Sequence, residues 1–362
     1  MNKLHLYRSH LTHNYKHIKS LLKSSTALIG VVKANAYGSE AIAIAQHLEK
    51  LGIDQLAVAY TAEGVSLKKV GVQCPIMVFY PKYDELETLL EYDLEPVAYS
   101  FRILDRLNQL ALKTQPTPHP LHLKFNTGLN RLGFLTSEVS KVFSKINPKA
   151  FAIKSIYSHL AASEEPRPSA ICEAQLAQFS HLKSECQKRL SSSAQFHLLN
   201  SSGVFNYPEY HFDAVRCGLA LYGFANHPDW DAKLKPIARL TSCILQIHNV
   251  VKGASVGYNS GWVAPKAARI ATLPLGHADG ISRYFGQGRV AVSINGKKAP
   301  IVGNVCMDMV MVDVSDIDCV EGDEVEFFGK GNSAQNVAEH GGTIVYELLS
   351  NVGPRVERIL HP

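Results

Sequence analysis

The sequence lacks any apolar run that could cross a membrane: nowhere in its 362 residues do about 18 uncharged apolar residues follow one another. Basic residues are not concentrated either, since 37 Lys and Arg face 32 Asp and Glu and no five basic residues are consecutive. The first residues contain neither the continuous apolar segment nor the cleavage site of a signal peptide. We therefore expect a cytoplasmic protein that binds neither membranes nor nucleic acid, whereas a small anionic ligand fits the net charge of +5.

Cysteine is sparse, and the motifs of several large enzyme classes are absent. The seven cysteines are odd in number, widely spaced and never arranged as C-x-x-C, which predicts reduced thiols and no metal site. The patterns H-E-x-x-H, G-x-S-x-G, G-x-G-x-x-G and Walker A do not occur. Their absence weighs against a zinc protease, a serine hydrolase, a Rossmann domain and a P-loop enzyme.

What is present, up to about residue 232, is an alternation of short apolar segments with amphipathic ones such as Ser39–Leu51 and Ser169–Leu190. The eight apolar segments are Leu28–Val32, Gln55–Tyr60, Ile76–Tyr80, Pro96–Tyr99, Leu121–Phe125, Ile153–Tyr157, Phe196–Leu199 and Ala214–Val215. Eight such repeats predict an α/β fold, a (β/α)8 barrel, with a doubly wound open sheet as the alternative. From about Leu234 strands and glycine turns predominate. We expect a barrel over 1–232 and a mostly-β domain over 233–362.

Polar residues follow the predicted barrel strands, where the active sites of such barrels lie. Lys33 directly follows the first strand; partial burial there would lower its pKa and make it an imine-forming amine. Taken alone, residues such as Lys33, Lys124 and Arg131 are more often solvated cations, and a lone histidine such as His159 is usually structural. The loops after strands seven and eight are the usual phosphate site of such barrels, yet Ser201 and Gly218 also suit ordinary turns.

Taken together, these segments spell V-V-K-A-N-A-Y-G, L-K-F-N-T-G-L-N-R-L-G-F, Y-S-H-L-A, N-S-S-G and V-R-C-G-L-A-L-Y-G. The C-terminal part adds V-G-Y-N, T-L-P-L-G-H-A-D-G, P-I-V-G-N-V-C-M-D-M, G-T-I-V-Y-E-L and P-R-V-E-R. The ordered set resembles alanine racemase, a pyridoxal-phosphate enzyme made of a (β/α)8 barrel and a β domain. Each motif is weak alone, but they span nearly the whole chain in order.

The resemblance implies roles for individual residues. Lys33 would carry pyridoxal 5'-phosphate and act as the base on one face of the substrate Cα, while Tyr258 of the neighbouring subunit would act on the other face. Arg216 would face the pyridine nitrogen, and His159 would link Arg216 to Tyr258. The cofactor would further be bound by Tyr37, Asn200, Ser201, Gly218, Leu219 and Tyr346.

The resemblance also implies how the substrate is held and what the enzyme is for. Arg131 and the backbone N–H of Met307 would hold the carboxylate of a small amino acid, and Lys124 matches a lysine that is often carbamylated. The implied enzyme is a homodimer with shared active sites, which interconverts L- and D-alanine for peptidoglycan precursors.

Three positions depart from the family pattern. Asn126 stands where the family usually has Asp, His277 replaces a usual Tyr, and Asn304 replaces a common Arg. The last two belong to the family's entrance corridor, so a racemase of broader scope, for serine or basic amino acids, is the alternative. A basic amino-acid decarboxylase is disfavoured because its Gly-Gly-Gly loop and C-x-D motif are absent. A single-domain pyridoxal-phosphate carrier would lack the β domain.

Overall fold

The computed structural model describes residues 2–111, 118–191 and 193–362. The chain forms two compact units. The barrel unit comprises His10–Ala36 and Ala41–Lys235, and the sheet unit comprises Met1–Ser9, Tyr37–Glu40 and Pro236–Pro362. Within the described ranges, no helix has the length and apolar character needed to span a membrane.

Eight parallel strands form the barrel unit. In chain order they are Ala27–Val31, Gln55–Val58, Ile76–Val78, Glu95–Ala98, His119–Asn126, Phe151–Tyr157, Gln195–His197 and Ala214–Cys217, called strands one to eight below. Neighbours in sequence pair in parallel, and strand eight pairs with strand one. Strands seven and eight are joined by hydrogen bonds from Asp213 N to Phe196 O (3.0 Å) and from Arg216 N to Leu199 O (3.1 Å). The predicted (β/α)8 barrel is therefore confirmed.

Helices cover the outside of these strands, as expected where a parallel sheet buries both faces. The helices are Arg8–Leu21, Ala41–Lys50, Thr61–Lys69, Leu86–Glu91, Phe101–Ala111, Val139–Lys145, Ala170–Gln187, Ser201–Asn206 and Pro228–Asp231. In Ala41–Lys50 the buried residues are Ile44, Ala45 and Leu48, spaced so that they lie on one face. A short strand, Phe134–Leu135, pairs with strand five.

The sheet unit contains a nine-stranded sheet, a two-stranded hairpin (Ser255–Val256 with Trp262–Val263) and the helices Ala334–His340 and Val345–Ser350. Across the sheet the strand order is Gln246–Val250, Ala268–Leu273, Val310–Asp313, Lys297–Val302, Ala291–Ile294, Glu324–Phe328, Ala238–Cys243, Lys3–Tyr7 and Glu357–His361. A mostly-β C-terminal domain was predicted, and it is present. The strand Lys3–Tyr7 lies within this sheet, although the predicted boundaries assigned residues 1–232 to the barrel.

Candidate active site

Lys33 opens a left-handed helical turn at the end of strand one. Ala34, Asn35, Ala36 and Tyr37 have φ values of 53°, 51°, 53° and 54°, which residues other than glycine rarely adopt. The Glu63 carboxylate receives the Ala34 N–H at 2.7 Å, and the Asn35 side chain receives the Ala41 N–H at 2.8 Å. These contacts stabilise an unfavourable backbone next to the lysine, and such strain is typical of functional sites.

Positive charge collects at the mouth of the barrel. Burial, and then the charge of Arg131, lower the pKa of Lys33, whereas Glu63 raises it. Burial and the charges of Arg131, Arg216 and Lys33 lower the pKa of Lys124 to about 7. Among the described residues, none of these four cations forms an ion pair with a carboxylate. The barrel mouth is therefore suited to an anionic ligand.

Arg216, on strand eight, is buried and held by neutral groups. Its Nη1 donates to His197 Nδ1 (2.5 Å), and its Nη2 donates to the carbonyls of Ser158 and Leu198 (2.8 Å each). Its guanidinium lies 4.9 Å from the centre of the Tyr157 ring. Burial lowers the pKa of Arg216 to about 10, so the side chain remains charged at neutral pH.

His159 follows strand six and contacts Arg216. Arg216 Nη2 lies 3.2 Å from His159 Nδ1. Because a guanidinium can only donate, Nδ1 is the acceptor and the proton of the neutral ring lies on Nε2. Burial and then the charge of Arg216 hold the pKa of His159 well below its usual range. Gln175 fixes the loop, receiving the Ala161 N–H and donating to the His159 carbonyl.

The loops after strands seven and eight pack together through Ser201. Its Oγ accepts the N–H groups of Gly218 (3.0 Å) and Ala220 (3.1 Å). Asn200 caps the helix Ser201–Asn206 by accepting the Gly203 N–H at 3.0 Å. Leu219, also predicted to bind the cofactor, is buried beside Gly218. The first N–H groups of a helix have no intrahelical acceptor, which suits a phosphate.

Asn126 keeps the turn before Arg131 in place. Its Oδ1 accepts the N–H groups of Gly128 (3.1 Å) and Asn130 (3.0 Å), and its Nδ2 donates to Asn130 Oδ1. An Asp could accept the same two bonds, so the family substitution at 126 preserves the shape of this loop. The Arg131 side chain that follows is exposed.

Two tyrosines predicted to bind the cofactor phosphate meet in the sheet unit. The ring centres of Tyr37 and Tyr346 are 6.0 Å apart. The next residue, Gly38, has φ 77°, and a Cβ there would lie 2.2 Å from the Leu349 carbonyl oxygen. Only glycine fits this position, which explains the G of K-A-N-A-Y-G.

Tyr258, the predicted second base, lies on the tight turn Tyr258–Ser260 of the sheet unit, with 70% of its side chain exposed. Asn304 Nδ2 donates to the Tyr258 carbonyl at 2.9 Å, so this departure from the family pattern holds the backbone of the predicted base. Gln287 in turn donates to Asn304 Oδ1 at 3.4 Å.

The loops that carry His277 and Met307 are bonded to each other. His277 N donates to Cys306 O and Ala278 N donates to Met307 O, each at 3.0 Å. Arg355 joins the two loops because it donates to both oxygens of buried Asp279 (2.7 and 3.0 Å) and pairs with Asp308 (2.7 Å). The motifs H-A-D-G, V-C-M-D-M and P-R-V-E-R are thus parts of one structure that presents Met307, which is 60% exposed.

Comparison with known proteins decides the family. The family model "Alanine racemase, N-terminal domain" matches residues 7–226, and "Alanine racemase, C-terminal domain" matches residues 237–360. The chain belongs to the alanine racemase family. An alanine racemase 1 of Clostridium acetobutylicum is 34% identical, over 96% of this chain and 92% of its own length. The solved alanine racemase of Clostridium difficile 630 superimposes with a TM-score of 0.92 at 30% identity, covering 99% of this chain and 95% of its own.

A third alanine racemase, from Bartonella henselae, was solved with covalently bound pyridoxal phosphate; its TM-score is 0.89 at 30% identity, covering 99% of both chains. Alanine racemases are pyridoxal-phosphate-dependent isomerases of L- and D-alanine, and this chain is one of them. The residues present fit that cofactor. The cations of the barrel mouth require a negative charge, and the buried Tyr157 hydroxyl has no hydrogen-bond partner among the described residues.

Sequence reasoning missed several residues of this site. Glu63, Gln175 and His197 each fix a predicted site residue or its backbone. In the sequence they lie inside a helix or a strand and away from any motif. A buried polar residue within an apolar strand, as at His197, is the one feature that could have indicated them.

Proposed function

We propose that this alanine racemase uses Lys33 and Tyr258 as two bases on opposite faces of the substrate Cα, with pyridoxal phosphate held on Lys33. When bound, the cofactor supplies an electron sink that weakens the Cα–H bond. The observation that carries the proposal is Lys33 itself: it follows a barrel strand, and burial lowers its pKa, which makes the neutral amine easier to reach than in a solvated lysine. The neutral amine is the form that can bond to a carbonyl and accept a proton.

Arg216 and His159 set the protonation of the second base. Arg216 retains its charge and donates to His159 Nδ1, which leaves the Nε2–H of His159 free to donate further. In a homodimer with shared sites, that N–H would donate to the Tyr258 oxygen of the partner subunit and favour its phenolate. Arg216 itself would face the pyridine nitrogen of the bound cofactor and, as a guanidinium, would keep its proton.

The remaining predicted site residues bind the cofactor phosphate and the substrate carboxylate. Ser201, whose Oγ already accepts two N–H groups, can donate its hydroxyl proton to phosphate. Asn200, Gly218, Leu219, Tyr37 and Tyr346 complete the cofactor-binding group. The substrate carboxylate is held by Arg131 and by the backbone N–H of Met307. A carbamate on Lys124 would place an anion beside Arg131 and orient it.

The physiological role follows from the product. The enzyme works in the cytoplasm, where its seven unpaired cysteines stay reduced, and supplies D-alanine for peptidoglycan precursors. His277 and Asn304 at the entrance favour a second candidate, a racemase that also accepts serine or basic amino acids. The ratio of kcat/KM values on alanine, serine, lysine and arginine distinguishes the two.

The division of labour between the bases is tested by Cα-deuterium washout into solvent during single turnovers of Tyr258→Phe. Lys33 is assigned to D-alanine and Tyr258 to L-alanine. Positioned acid–base catalysis contributes roughly 10²–10⁴-fold. We therefore expect washout from the L enantiomer to slow by about that factor, while washout from the D enantiomer stays fast. Equal slowing from both enantiomers would contradict two separate bases. Tyr284→Phe, at another exposed tyrosine of the sheet unit, is the matched control.

A further inference from the structure

The barrel interior contains a row of buried polar side chains that the reaction does not account for. They lie on strand two and on strands four to eight, far apart in sequence, yet they are hydrogen-bonded to one another. They are Gln55, Glu95, His122, Ser155, His197 and Arg216, each at most 6% exposed. Burying polar groups costs free energy of folding unless each has a hydrogen-bond partner. A network of six such residues in the barrel interior therefore indicates a functional role.

The contacts form one continuous chain. Glu95 Oε2 lies 2.9 Å from His122 Nε2, and His122 Nδ1 lies 2.6 Å from Ser155 Oγ. Ser155 Oγ lies 2.9 Å from His197 Nε2, and His197 Nδ1 lies 2.5 Å from Arg216 Nη1. The chain thus joins a carboxylate inside the barrel to the guanidinium of the active site.

A β-bulge brings a second charge to the carboxylate. The register of strands five and six pairs Leu121 with Ile153 and His122 with Ser155, so Lys154 is an extra residue on strand six. Because of this insertion, the consecutive side chains of Lys154 and Ser155 both contact members of the hydrogen-bonded chain. Lys154 Nζ lies 2.6 Å from Glu95 Oε1, the oxygen that His122 does not use.

The groups at the two ends of the chain, Arg216 and Glu95, determine which atom is the donor in each of these hydrogen bonds. Arg216 can only donate, so His197 Nδ1 must be the acceptor, and the proton of His197 lies on Nε2 and points at Ser155. The Ser155 oxygen is then an acceptor and its hydroxyl donates to His122 Nδ1. The proton of His122 therefore lies on Nε2 and is received by Glu95, which as a carboxylate can only accept.

We propose that Glu95 is a positioning residue for Arg216: through His122 and Ser155 it keeps Nδ1 of His197 unprotonated and able to receive the guanidinium. Burial lowers the pKa of both histidines. Burial raises the pKa of Glu95, but His122 and Lys154 outweigh it and hold that pKa at about 2, so the required protonation states are those favoured at neutral pH. The effect on catalysis rests on the proposed role of Arg216; the tautomers themselves do not.

In Glu95→Gln two donors face the new amide, the Lys154 ammonium on the Oε1 side and the neutral Gln55 amide on the Oε2 side (2.5 Å). The charged donor makes the stronger hydrogen bond, and Gln55 can turn its own amide oxygen to the new NH2 group, so Lys154 sets the orientation. The Lys154 ammonium can only donate, so it forms a hydrogen bond with the new amide oxygen, and the NH2 group then faces His122 Nε2. That nitrogen must then accept, so the proton of His122 moves to Nδ1 and Ser155 donates to His197 instead. His197 is left with its proton on Nδ1, facing the Arg216 donor, and the Arg216–His197 bond is lost.

The readout is the tautomeric state of His122 and His197, observed by long-range ¹H–¹⁵N correlation in protein with ¹⁵N-labelled histidine. The signals are assigned by substituting each histidine in turn. We expect both rings to be Nε2–H in the wild type and Nδ1–H in Glu95→Gln. Adding Lys154→Met to Glu95→Gln frees the amide to turn its oxygen to His122 and should restore Nε2–H. Glu91→Gln, at an exposed carboxylate, should change neither ring.

Racemisation provides the second readout. Loss of a hydrogen bond from a charged donor should lower kcat of Glu95→Gln roughly 10- to 100-fold with a smaller change in KM, and the double variant should recover. Unchanged tautomers in Glu95→Gln, or reversed tautomers with an unchanged kcat, would overturn the proposal. Failure of the Lys33 and Tyr258 assignments would leave the tautomers as described, so the two results are distinguishable.

Discussion

Lys124 shows how the barrel mouth changes the chemistry of a single amine. The side chain is 3% exposed, and its Nζ lies 5.3 Å and 5.7 Å from the ring centres of Tyr80 and Tyr157. Aromatic faces attract a cation weakly, whereas burial and three neighbouring cations disfavour the charge more strongly. With a pKa of about 7, the amine is largely neutral just above neutrality, which is the form that reacts with carbon dioxide.

We predict that Lys124 makes stability depend on pH. Its folded-state pKa of about 7 lies below the unfolded value, so above pH 7 the unfolded chain binds more protons and the free energy of unfolding rises with pH. The slope is at most about 1.4 kcal/mol per pH unit. Urea unfolding of the cofactor-free protein between pH 7 and 8.5, in buffers without carbon dioxide, should show this rise relative to Lys124→Met.

The control for this experiment is Lys149→Met, at an exposed lysine, which should keep the wild-type slope. Other groups that titrate in this range contribute equally to all three proteins and cancel in the comparison. Identical slopes in the wild type and Lys124→Met would contradict the lowered pKa.

For single residues, the sequence allowed the prediction of those that lie within a motif. It did not allow the prediction of residues whose role depends on contacts with distant parts of the chain. Lys33, Lys124 and Arg216 were predicted because each lies at or near the end of a predicted strand and within a motif. Glu95 was not, because the predicted fourth strand began at Pro96 and left the carboxylate outside it. No local pattern shows that Glu95 and His122 are hydrogen-bonded, since the register in which strands four and five pair brings them together.

Among the elements, the turn Lys33–Tyr37 is the most unusual. A left-handed conformation costs roughly 1–2 kcal/mol per L-residue, and the four consecutive residues 34–37 adopt it here. The sequence could not predict this turn, because residues 34–36 include no glycine, the residue that adopts the left-handed conformation most readily. By contrast, the eight barrel strands were predictable because continuous apolar segments between amphipathic helices fit few other folds.

This turn leads to a prediction for Ala34, which is exposed and has φ 53°. Ala34→Gly removes the steric cost but adds flexibility to the unfolded chain, so stability should change by less than about 0.5 kcal/mol. Ala34→Val should lose more than about 1 kcal/mol because a β-branched residue tolerates this region poorly. Urea unfolding provides the comparison.

Ala62→Val is the matched control for the turn, since Ala62 is exposed in the right-handed helix Thr61–Lys69. Helix propensity limits its cost to about 0.7 kcal/mol. If valine at 34 costs no more than valine at 62, the left-handed conformation is not what determines the stability of this turn.

For the whole molecule, the proposed homodimer predicts complementation between two inactive variants. Lys33→Ala and Tyr258→Phe each remove one base. If each site combines Lys33 of one subunit with Tyr258 of the other, a hybrid dimer has one intact site, and equal mixing should restore up to about a quarter of wild-type activity. Activity is measured after subunit exchange, which differently tagged subunits report by mass spectrometry.

Each variant mixed with itself is the control and should stay inactive. Exchange without any recovered activity would mean that both bases of a site come from one chain. The sequence predicted the division into a barrel and a β domain from the change of pattern near Leu234. It did not predict that Lys3–Tyr7 joins the sheet unit, because that pairing depends on residues more than 200 positions away.

The position of Lys3–Tyr7 has a consequence for synthesis on the ribosome. This strand pairs in parallel with Glu357–His361, so it borders a strand that is translated about 350 residues later. At about 5–20 residues per second, roughly 20–70 s separate their synthesis. During that time Leu4 and Leu6, which end up 1% exposed, lack their final neighbour. A nascent chain arrested before residue 357 should therefore leave this segment open to proteases and chaperones, and release of the finished chain should close it.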